Sequence, residues 1–299
     1  MSPTELTFAT FNVWGAGTNR GESIDATAAA LRALGADVIA LQEVRAEGRS
    51  CSPEDCAPGG ESVAADLANA LGYELFEQPA TSDALWANAV LSRYPIAAPV
   101  ADDLGVVIDV DGEAIAVINV HLPDYPYQPY QLTGIEYGDA PLLDSAAAAE
   151  AAAEAARGEW VDLALRRAGE LAADTRLVVI CGDFNEPSHL DWTERAAVEG
   201  RHPFAVAFPA SRKLAEAGFV DGYRAARPDE LRHPGFTWTP LATLDDPSEH
   251  HDRIDFIYLK GEDVRVRTAV VAGESTEAAD IVVRPWPSDH RAVAVTAEF

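Results

Sequence analysis

Short apolar runs bounded by polar side chains recur along this chain of 299 residues. One such run, residues 177–181, leads directly into Gly-Asp-Phe-Asn at positions 182–185. Short runs rich in Val and Ile are typical of strands that are buried on both faces of a sheet. Five other runs carry polar residues at or near one end, namely Asn12, Glu43, His121, Asp255 and Asp289-His290. Acids, amides and imidazoles at so many strand ends indicate the lining of one shared site.

Helical patterns alternate with these strand patterns in the first third of the chain. Residues 22–35 place apolar side chains on one helical face, and the pattern ends before Gly35, as helices often do. The next apolar run predicts a strand over residues 38–44, and a second helical pattern lies around residues 63–71. Strands mixed with helices in this way predict an α/β fold with a buried sheet interior.

A run of strands follows. Strands are predicted near residues 73–78 and 87–93. A hairpin is predicted through residues 106–110 and 115–120, because Asp111-Gly112 between them is a strong turn signal.

The second half of the chain is less regular. Residues 123–143 are rich in Pro, Tyr and Gln and predict an irregular segment. A long alanine-rich helix is predicted over approximately 144–172, and its high helix propensity with little amphipathicity favours an outer layer. Residues 186–250 are rich in loops, with a helix-like stretch at 211–217, and the last two or three strands close the chain.

Length and charge limit the classes of function. A chain of this size can bury one large core, so we predict a single domain over residues 1–299. The net charge is −27, and a field of that sign repels polyanions and argues against nucleic acid as the main substrate. A solubilising surface explains the charge equally well. Phosphate substrates remain compatible with it, because bound divalent cations invert the local potential.

The remaining composition gives expectations about compartment and cysteines. No apolar stretch reaches the ~18 residues of a membrane span, and the first strand pattern begins near Leu6, too early for a signal peptide. We therefore expect a cytoplasmic protein, or a secreted one if a leader was removed. Cys51 and Cys56 lie in a Gly/Pro-rich loop, where a small disulfide is one alternative, whereas Cys181 is expected in the core.

Six segments repeat one arrangement, a strand end with polar residues. They are Phe11-Asn12-Val13-Trp14, Leu41-Gln42-Glu43-Val44, Asn119-Val120-His121-Leu122, Gly182-Asp183-Phe184-Asn185, Arg253-Ile254-Asp255-Phe256 and Ser288-Asp289-His290-Arg291. Taken in this order they resemble the endonuclease/exonuclease/phosphatase superfamily, the DNase-I-like phosphoesterases, over nearly the whole chain. Each segment alone is weak, and the ordered set is specific. The resemblance implies a DNase-I-like four-layer α/β sandwich, with two packed mixed β-sheets flanked by helices, and divalent-metal-dependent phosphoester hydrolysis.

Phosphoryl transfer needs in-line attack by water and neutralisation of charge on the phosphate oxygens. We expect Glu43, Asp289 and the amide oxygen of Asn12 to hold Mg²⁺, which prefers oxygen ligands, although Mn²⁺ or Ca²⁺ would suit the same set. Asp183 is expected to accept a proton from water or to orient it, with metal binding as its alternative. Asn185 is expected to donate a hydrogen bond to a phosphate oxygen.

Two histidines are candidates for proton and phosphate work near neutral pH. The resemblance implies that His290 pairs with Asp255, whose carboxylate favours the imidazolium form, and that the charged ring contacts the phosphate. His121 matches the histidine of the sphingomyelinase and DNase-I branches on the leaving-group side, and a structural role is its alternative. The abasic-site repair branch has a tyrosine-containing motif instead, so that specialisation is disfavoured. The doublet at His250 and His251 is expected to be solvated and is assigned no metal.

The substrate contacts are predicted from the loops around these motifs. Asn88, Tyr125, His189 and Trp192 are candidates to support or line the substrate pocket, although packing of the aromatic rings against the sandwich is the alternative. Residues 123–143 contain no arginine or lysine, unlike the groove of a DNA-cleaving enzyme.

We therefore predict a Mg²⁺-dependent phosphoesterase for a small phosphorylated organic substrate. A nuclease, a sphingomyelinase-like lipid phosphodiesterase and a catalytically silent binding module are the alternatives.

Overall fold

The computed structural model describes residues 4–47, 52, 59–79 and 87–299. Strands of the described residues are β1 (Glu5–Asn12), β2 (Val38–Gln42), β3 (Glu74–Glu77), β4 (Ala89–Ser92), β5 (Ile96–Pro99), β6 (Gly105–Val110), β7 (Glu113–His121), β8 (Leu177–Asp183), β9 (Val220–Asp221), β10 (Asp255–Gly261), β11 (Arg265–Gly273), β12 (Ile281–Val282) and β13 (Ala292–Glu298). The helices are α1 (Ile24–Leu34), α2 (Ala64–Leu71), α3 (Gln128–Thr133), α4 (Ala146–Leu171), α5 (Glu194–Val198), α6 (Pro209–Glu216) and α7 (Gly222–Ala226).

These strands form two mixed sheets. One sheet has 7 strands in the order β12-β11-β13-β1-β2-β4-β3, and the other has 6 strands in the order β5-β6-β7-β8-β10-β9. The parallel pairs β1 with β2 and β7 with β8 lie at the centres of the two sheets, and antiparallel partners extend each sheet on both sides.

A continuous apolar core fills the space between the sheets. Alternate side chains of facing strands point into it, among them Phe8 of β1, Val179 of β8 and Leu259 of β10, each at most 1% exposed. This alternation is the period of two that a strand imposes on its side chains, and burial of the apolar side chains is the main favourable term in folding.

Helices cover the outer face of each sheet. Leu31 of α1 and Leu67 of α2 join a buried cluster with Ile39 of β2, on the outer face of the 7-stranded sheet. Val161 of α4 and Leu214 of α6 join the corresponding cluster on the 6-stranded sheet. The result is the predicted order of helices, sheet, sheet and helices, so the α/β sandwich is confirmed.

The alanine-rich helix is α4, and it lies close to the bounds that the sequence predicts. Its first turn is capped by Ser145, whose hydroxyl accepts the backbone N–H of Ala148. Ala149 and Ala153 are buried on one side of the helix, and their small side chains allow the helix to approach its neighbours closely.

The irregular segment 123–143 contains an unpredicted helix, α3. Arg157 of α4 is buried beneath it and donates to Gln128 Oε1 at 2.6 Å and to Pro126 O at 2.9 Å. A contact with a helix about 30 residues later in the chain holds α3 in place, and the local pattern carries no sign of it. Elsewhere, the loop-rich stretch 186–250 also contains the short elements α5, β9 and α7, which the prediction omitted.

Two further predictions concern cysteines and membranes. Cys181 is buried in β8, as predicted, whereas Cys51 and Cys56 lie outside the described residues. Within the described parts of the chain, no helix is both long enough and apolar enough to cross a membrane.

The core between the sheets predicts how two identical substitutions will differ. Val179→Ala removes two methyl-sized volumes from a fully buried position and should lower the free energy of unfolding by about 2 kcal/mol. Val198→Ala makes the same change at a side chain that is 84% exposed and should change it by less than about 0.5 kcal/mol. Urea denaturation of both variants measures the difference, and equal losses would contradict the assigned core.

Candidate active site

The topology brings the predicted polar strand ends to one edge of the sandwich. Because β1 and β2 are parallel, Asn12 and Glu43 leave the 7-stranded sheet side by side. Because β7 and β8 are parallel, His121 lies opposite Asp183 in the 6-stranded sheet. The antiparallel strand β10 begins at this same edge, with Asp255 opposite Asp183. Side chains from both sheets therefore meet at the predicted site.

Gly182 permits the close approach of β7 and β8 at this edge. Its φ is +137°, and a Cβ at this position would lie 1.8 Å from the carbonyl oxygen of Val120. Only glycine tolerates such an approach. The motif glycine thus permits the parallel register that places His121 beside Asp183.

Asn12 joins the two sheets across the site. Its Nδ2 donates to Glu43 Oε1 at 2.8 Å and to Asp183 Oδ2 at 3.0 Å, while its Oδ1 accepts the backbone N–H of Trp14 at 3.1 Å. The amide nitrogen therefore faces the carboxylates. This orientation differs from the oxygen ligand that the sequence analysis expects, and it makes Asn12 the group that holds Glu43 and Asp183 together.

Glu43 and Asn185 both occupy the left-handed region of backbone conformation, with φ of 55° and 48°. Such conformations cost energy in residues other than glycine and are common at functional sites. At Asn185 the turn lets the backbone N–H donate to Asp183 Oδ1 at 2.9 Å, while its Nδ2 donates to Leu122 O at 2.9 Å. The Asn185 amide nitrogen carries two N–H bonds, and Leu122 O accepts one of them. The other N–H is the donor that the predicted contact with phosphate requires.

His290 lies between two carboxylates. Its Nδ1 is 2.9 Å from Asp255 Oδ2, and its Nε2 is 3.5 Å from Asp183 Oδ2. Burial alone would lower the pKa of His290, but the Asp255 and Asp183 carboxylates raise that pKa well above its ordinary value. The ring is therefore an imidazolium at neutral pH, and the indole of Trp238 packs against it with ring centroids 5.1 Å apart.

His121 completes the cluster from the other side. Its Nε2 is 3.8 Å from Glu43 Oε1 and 3.6 Å from Asp183 Oδ2, and the residue is buried. Asp183 is thus in contact with both histidines, so the predicted catalytic residues share one site.

The cluster concentrates buried negative charge. Glu43, Asp183, Asp255 and Asp289 bring four carboxylates together. Burial raises the pKa of Glu43 to about 7, with Asp289 adding to the rise, and burial also raises the pKa of Asp289 to about 6. A buried carboxylate needs a positive partner, and a divalent cation supplies one. The all-oxygen pair Glu43 and Asp289 suits a hard cation such as Mg²⁺.

Asp183 is a further acid that could bind a metal ion in the same region. Ligand atoms of Asp183, Asp255 and His290 all lie within 4.8 Å of one another, a spacing that could also hold a metal ion. The alternative role of Asp183 as a metal ligand, which the sequence left open, therefore stays open.

A buried polar network that the sequence analysis missed lies directly beneath the cluster. Asn119 of β7 accepts Gln42 Nε2 at 2.7 Å and donates to Gln78 Oε1 at 2.8 Å and to Leu41 O at 3.0 Å. These bonds cross from one sheet to the other. The available signal in the sequence was an amide inside an apolar run. Gln42 stands directly before Glu43, and Asn119 stands two residues before His121.

Of the four predicted substrate contacts, Asn88 and Trp192 are too deeply buried to touch a substrate. Asn88 is fully buried and its Nδ2 lies 3.4 Å from Asn119 O, where it supports the site from below. Trp192 is 1% exposed and packs with Phe208. An indole of that size is buried because it fills the space between α4 and the following loops, as the packing alternative anticipates.

The other two predicted contacts remain accessible. His189 is partly buried, and its Nδ1 lies 2.8 Å from Ser211 Oγ on α6, so the structure shows it against that helix. Tyr125 is partly exposed, its hydroxyl donates to Asp139, and its ring packs edge-on against Tyr137.

Pairs of one aromatic donor and one acid form an acidic rim around the cluster. The pairs are Trp14 with Glu47, Tyr125 with Asp139, Tyr130 with Glu249 and Tyr137 with Asp124. The pKa of Tyr137 is raised by burial and by Asp124, with a smaller contribution from Glu43, which places this ring close to the cluster. For the pairs of Tyr125 and Tyr137, the available signal was the mixture of tyrosines and acids within residues 123–143.

Comparison with known proteins gives one family. A model of the Endonuclease/Exonuclease/phosphatase family matches residues 9–290. The uncharacterized protein F14F9.5 of Caenorhabditis elegans is 28% identical over 313 residues, which cover 97% of this chain and 90% of that protein.

Solved structures agree with the fold. The endonuclease/exonuclease/phosphatase of Beutenbergia cavernae DSM 12333 is similar with a TM-score of 0.57 at 17% identity, over 99% of this chain and 72% of that chain. TDP2 of D. rerio complexed with single strand DNA product is similar with a TM-score of 0.55 at 16% identity, over 98% of this chain and 99% of that chain. At these identities the likeness shows the fold alone, and it confirms the DNase-I-like sandwich.

The buried charge predicts that Glu43 destabilises the metal-free protein. Burial raises its pKa in the folded state from 4.5 to about 7. The stability that the protonated side chain contributes is therefore fully present below the unfolded-state pKa, and it is lost as the pH rises through about 7. In the presence of chelator, Glu43→Gln should therefore be more stable than the unmodified protein by about 3 kcal/mol at pH 8, and nearly equal at pH 4.5.

Urea denaturation at the two pH values measures this difference. Mg²⁺ should stabilise the unmodified protein at pH 8 and have much less effect on Glu43→Gln. Glu216→Gln, a change at an exposed glutamate, is the matched control. A Glu43→Gln variant that is less stable at pH 8 would show that the carboxylate is compensated without a cation.

Proposed function

This chain belongs to the endonuclease/exonuclease/phosphatase family, whose members are metal-dependent phosphoester hydrolases, and we propose that its substrate is a small phosphorylated organic molecule. The observation that supports phosphoester hydrolysis most directly is the convergence of four carboxylates, three of them buried, and the His290 imidazolium at one edge of the sandwich. Water attacks in line with the leaving oxygen, and the product is free phosphate or a phosphomonoester.

The proposed cofactor is Mg²⁺, with Mn²⁺ or Ca²⁺ as alternatives of similar ligand preference. Glu43 and Asp289 would hold the cation, which neutralises charge on the phosphate oxygens when it is bound. Asn12 is assigned here to positioning Glu43, because its amide nitrogen faces that carboxylate.

The remaining polar groups have separate tasks. Asp183 is the proposed base for the attacking water, because the backbone N–H of Asn185 fixes one of its oxygens and Asn12 fixes the other. His290 donates its Nε2–H to a phosphate oxygen, and Asp255 keeps the ring charged and oriented. His121 lies on the side of Glu43 and is the proposed contact for the leaving group.

The acidic rim favours a small substrate over a polyanion. A nucleic acid would place further phosphates against Asp124 and Asp139, in a protein whose net charge is −27. A single organic group would instead contact the accessible faces of Tyr125 and Trp238, whose rings accept apolar or polar surface without added charge. Substrates with neutral or positively charged alcohol groups suit this rim best.

Hydrolysis of a nucleic-acid phosphodiester is the second candidate. Its support is the similarity in fold to TDP2, which was solved with a single strand DNA product. A lipid phosphodiesterase and a silent binding module have less support, and the complete set of polar residues around Asp183 argues against the latter.

Relative rates on two substrate classes test the proposal. With Mg²⁺, we expect the protein to hydrolyse p-nitrophenyl phosphate or bis(p-nitrophenyl) phosphate at least ~10-fold faster than a single-stranded oligonucleotide at equal phosphoester concentration, because the rim repels the polymer. Asp183→Asn should lower the rate ~100-fold or more, whereas Asp174→Asn, at an exposed acid, should leave it unchanged. Equal or faster cleavage of the oligonucleotide would favour the nuclease, and no chelator-sensitive hydrolysis of either class would refute both.

The pair of His290 and Asp255 predicts a shift in the pH profile. In Asp255→Asn the ring loses the carboxylate that raises its pKa, so the imidazolium is lost at lower pH and the alkaline limb of kcat/KM moves to lower pH. The loss of activity should be about 10-fold greater at pH 9 than at pH 6. Steady-state kinetics across this range measure it, with Asp174→Asn as the control. An equal loss at both pH values would show that Asp255 acts only on ring geometry.

A further inference from the structure

A second group of side chains that could hold a metal ion lies away from the cluster at Asp183. It consists of His202, which follows α5, and His250 and Asp252, which precede β10. His202 Nδ1 is 3.2 Å from His250 Nε2, and His250 Nε2 is 3.8 Å from Asp252 Oδ2. One ligand atom from each residue lies within 4.8 Å of the other two.

These distances fit a tetrahedral ion. Zinc binds imidazole nitrogen and carboxylate oxygen at about 2.0–2.2 Å, which separates neighbouring ligand atoms by about 3.3 Å. The two histidine nitrogens have nearly that separation, and the Asp252 oxygen lies about half an ångström beyond it. A hydrogen bond between two neutral imidazoles would explain the distance between the His202 and His250 nitrogens. It would not explain why the Asp252 carboxylate lies beside them.

Neighbouring side chains hold Asp252 and His202 in place by hydrogen bonds and ring stacking. Asp252 is 2% exposed, and its two oxygens accept the Trp192 Nε1–H at 2.8 Å and the Tyr127 hydroxyl at 2.9 Å. The Trp192 ring stacks on His202 with centroids 4.0 Å apart and an interplanar angle of 12°. Metal ligands are typically oriented by such outer hydrogen bonds and packing. Both donors to Asp252 are neutral, and a cation is the partner that a buried carboxylate requires.

Solvent reaches this position through a small open pocket of about 40 Å³. His202 and Asp252 line it together with three arginines, Arg201, Arg224 and Arg253. The side chain of His250 is 13% exposed. Three protein ligands next to solvent leave a fourth position for water, as in many sites with two nitrogen ligands and one carboxylate.

We propose that His202, His250 and Asp252 bind one divalent transition-metal ion, with zinc the best match. Imidazole ligands favour zinc, copper or nickel over magnesium, so this site and the oxygen-rich catalytic site select different ions. The ion ties two segments separated by 48 residues at the histidines. The backbone of Asp252 also pairs with Trp238, the residue that packs against His290, so the ion would steady one wall of the catalytic site.

Zinc binding to chelator-treated protein tests this site without any measurement of hydrolysis. Zinc is added to Glu43→Gln protein, in which the catalytic site is impaired, and binding is followed by calorimetry and by the visible spectrum after Co²⁺ substitution. We expect one equivalent with a nitrogen-ligated cobalt spectrum. In the same background, His202→Ala or His250→Ala should weaken this binding at least ~100-fold, because even outer partners of a metal ligand contribute 10–100-fold.

His233→Ala is the matched control, since it removes a partly buried histidine outside the group and should leave the affinity unchanged. If an alanine variant fails to fold by circular dichroism, His202→Gln and His250→Gln retain side-chain volume and should lose zinc binding with the fold intact. Equal zinc affinity in the parent, the group variants and the control would overturn the proposal and assign the three residues to a hydrogen-bonded chain. This outcome is independent of whether the protein hydrolyses any phosphoester.

Discussion

Burial of several carboxylates within a few ångströms of one another is the constraint on which the rest of this structure depends. Each charge loses hydration and each repels the others, and the raised pKa of Glu43 is the direct sign of that cost. Two features offset it within the protein: the His290 imidazolium between Asp183 and Asp255, and the Asn12 amide that donates to Glu43 and Asp183. The remaining negative charge makes the site suited to a divalent cation, and a bound cation would in turn attract a phosphate.

The fold withstands this cost because the site is built on strand ends rather than on long loops. Asn12 and Glu43 come from one sheet and Asp183 from the other, so movement of the sheets would separate the acids. The Asn119 amide and Gln42 tie the sheets directly below them through buried hydrogen bonds. Such networks are stabilising only when their members are satisfied, and they then allow one packing of the sheets.

The sequence predicted which side chains meet at the cluster, because strand ends in parallel register must share an edge of a sheet. His121 and Asp183 are neighbours for that reason. Predictions failed where a distant residue decides the local structure: α3 depends on the buried Arg157, and Trp192 fills a gap beside α4 that no local pattern reveals. The group at Asp252 was missed in the same way, since His202 is far from it in the chain and the doublet at 250–251 suggested solvated rings.

Donor-atom chemistry separates the two candidate metal positions while the fold connects them. Glu43 and Asp289 would offer oxygen to a hard cation, whereas His202 and His250 would offer nitrogen to a softer one, so an ion suited to one position is poorly held at the other. Trp238 lies between them, since its backbone pairs with Asp252 and its ring packs on His290. Order at Asp252 therefore bears on the position of the His290 imidazolium, which is the group proposed to contact the phosphate. The nitrogen site would lie outside the cluster and would still influence the position of His290, through one indole ring.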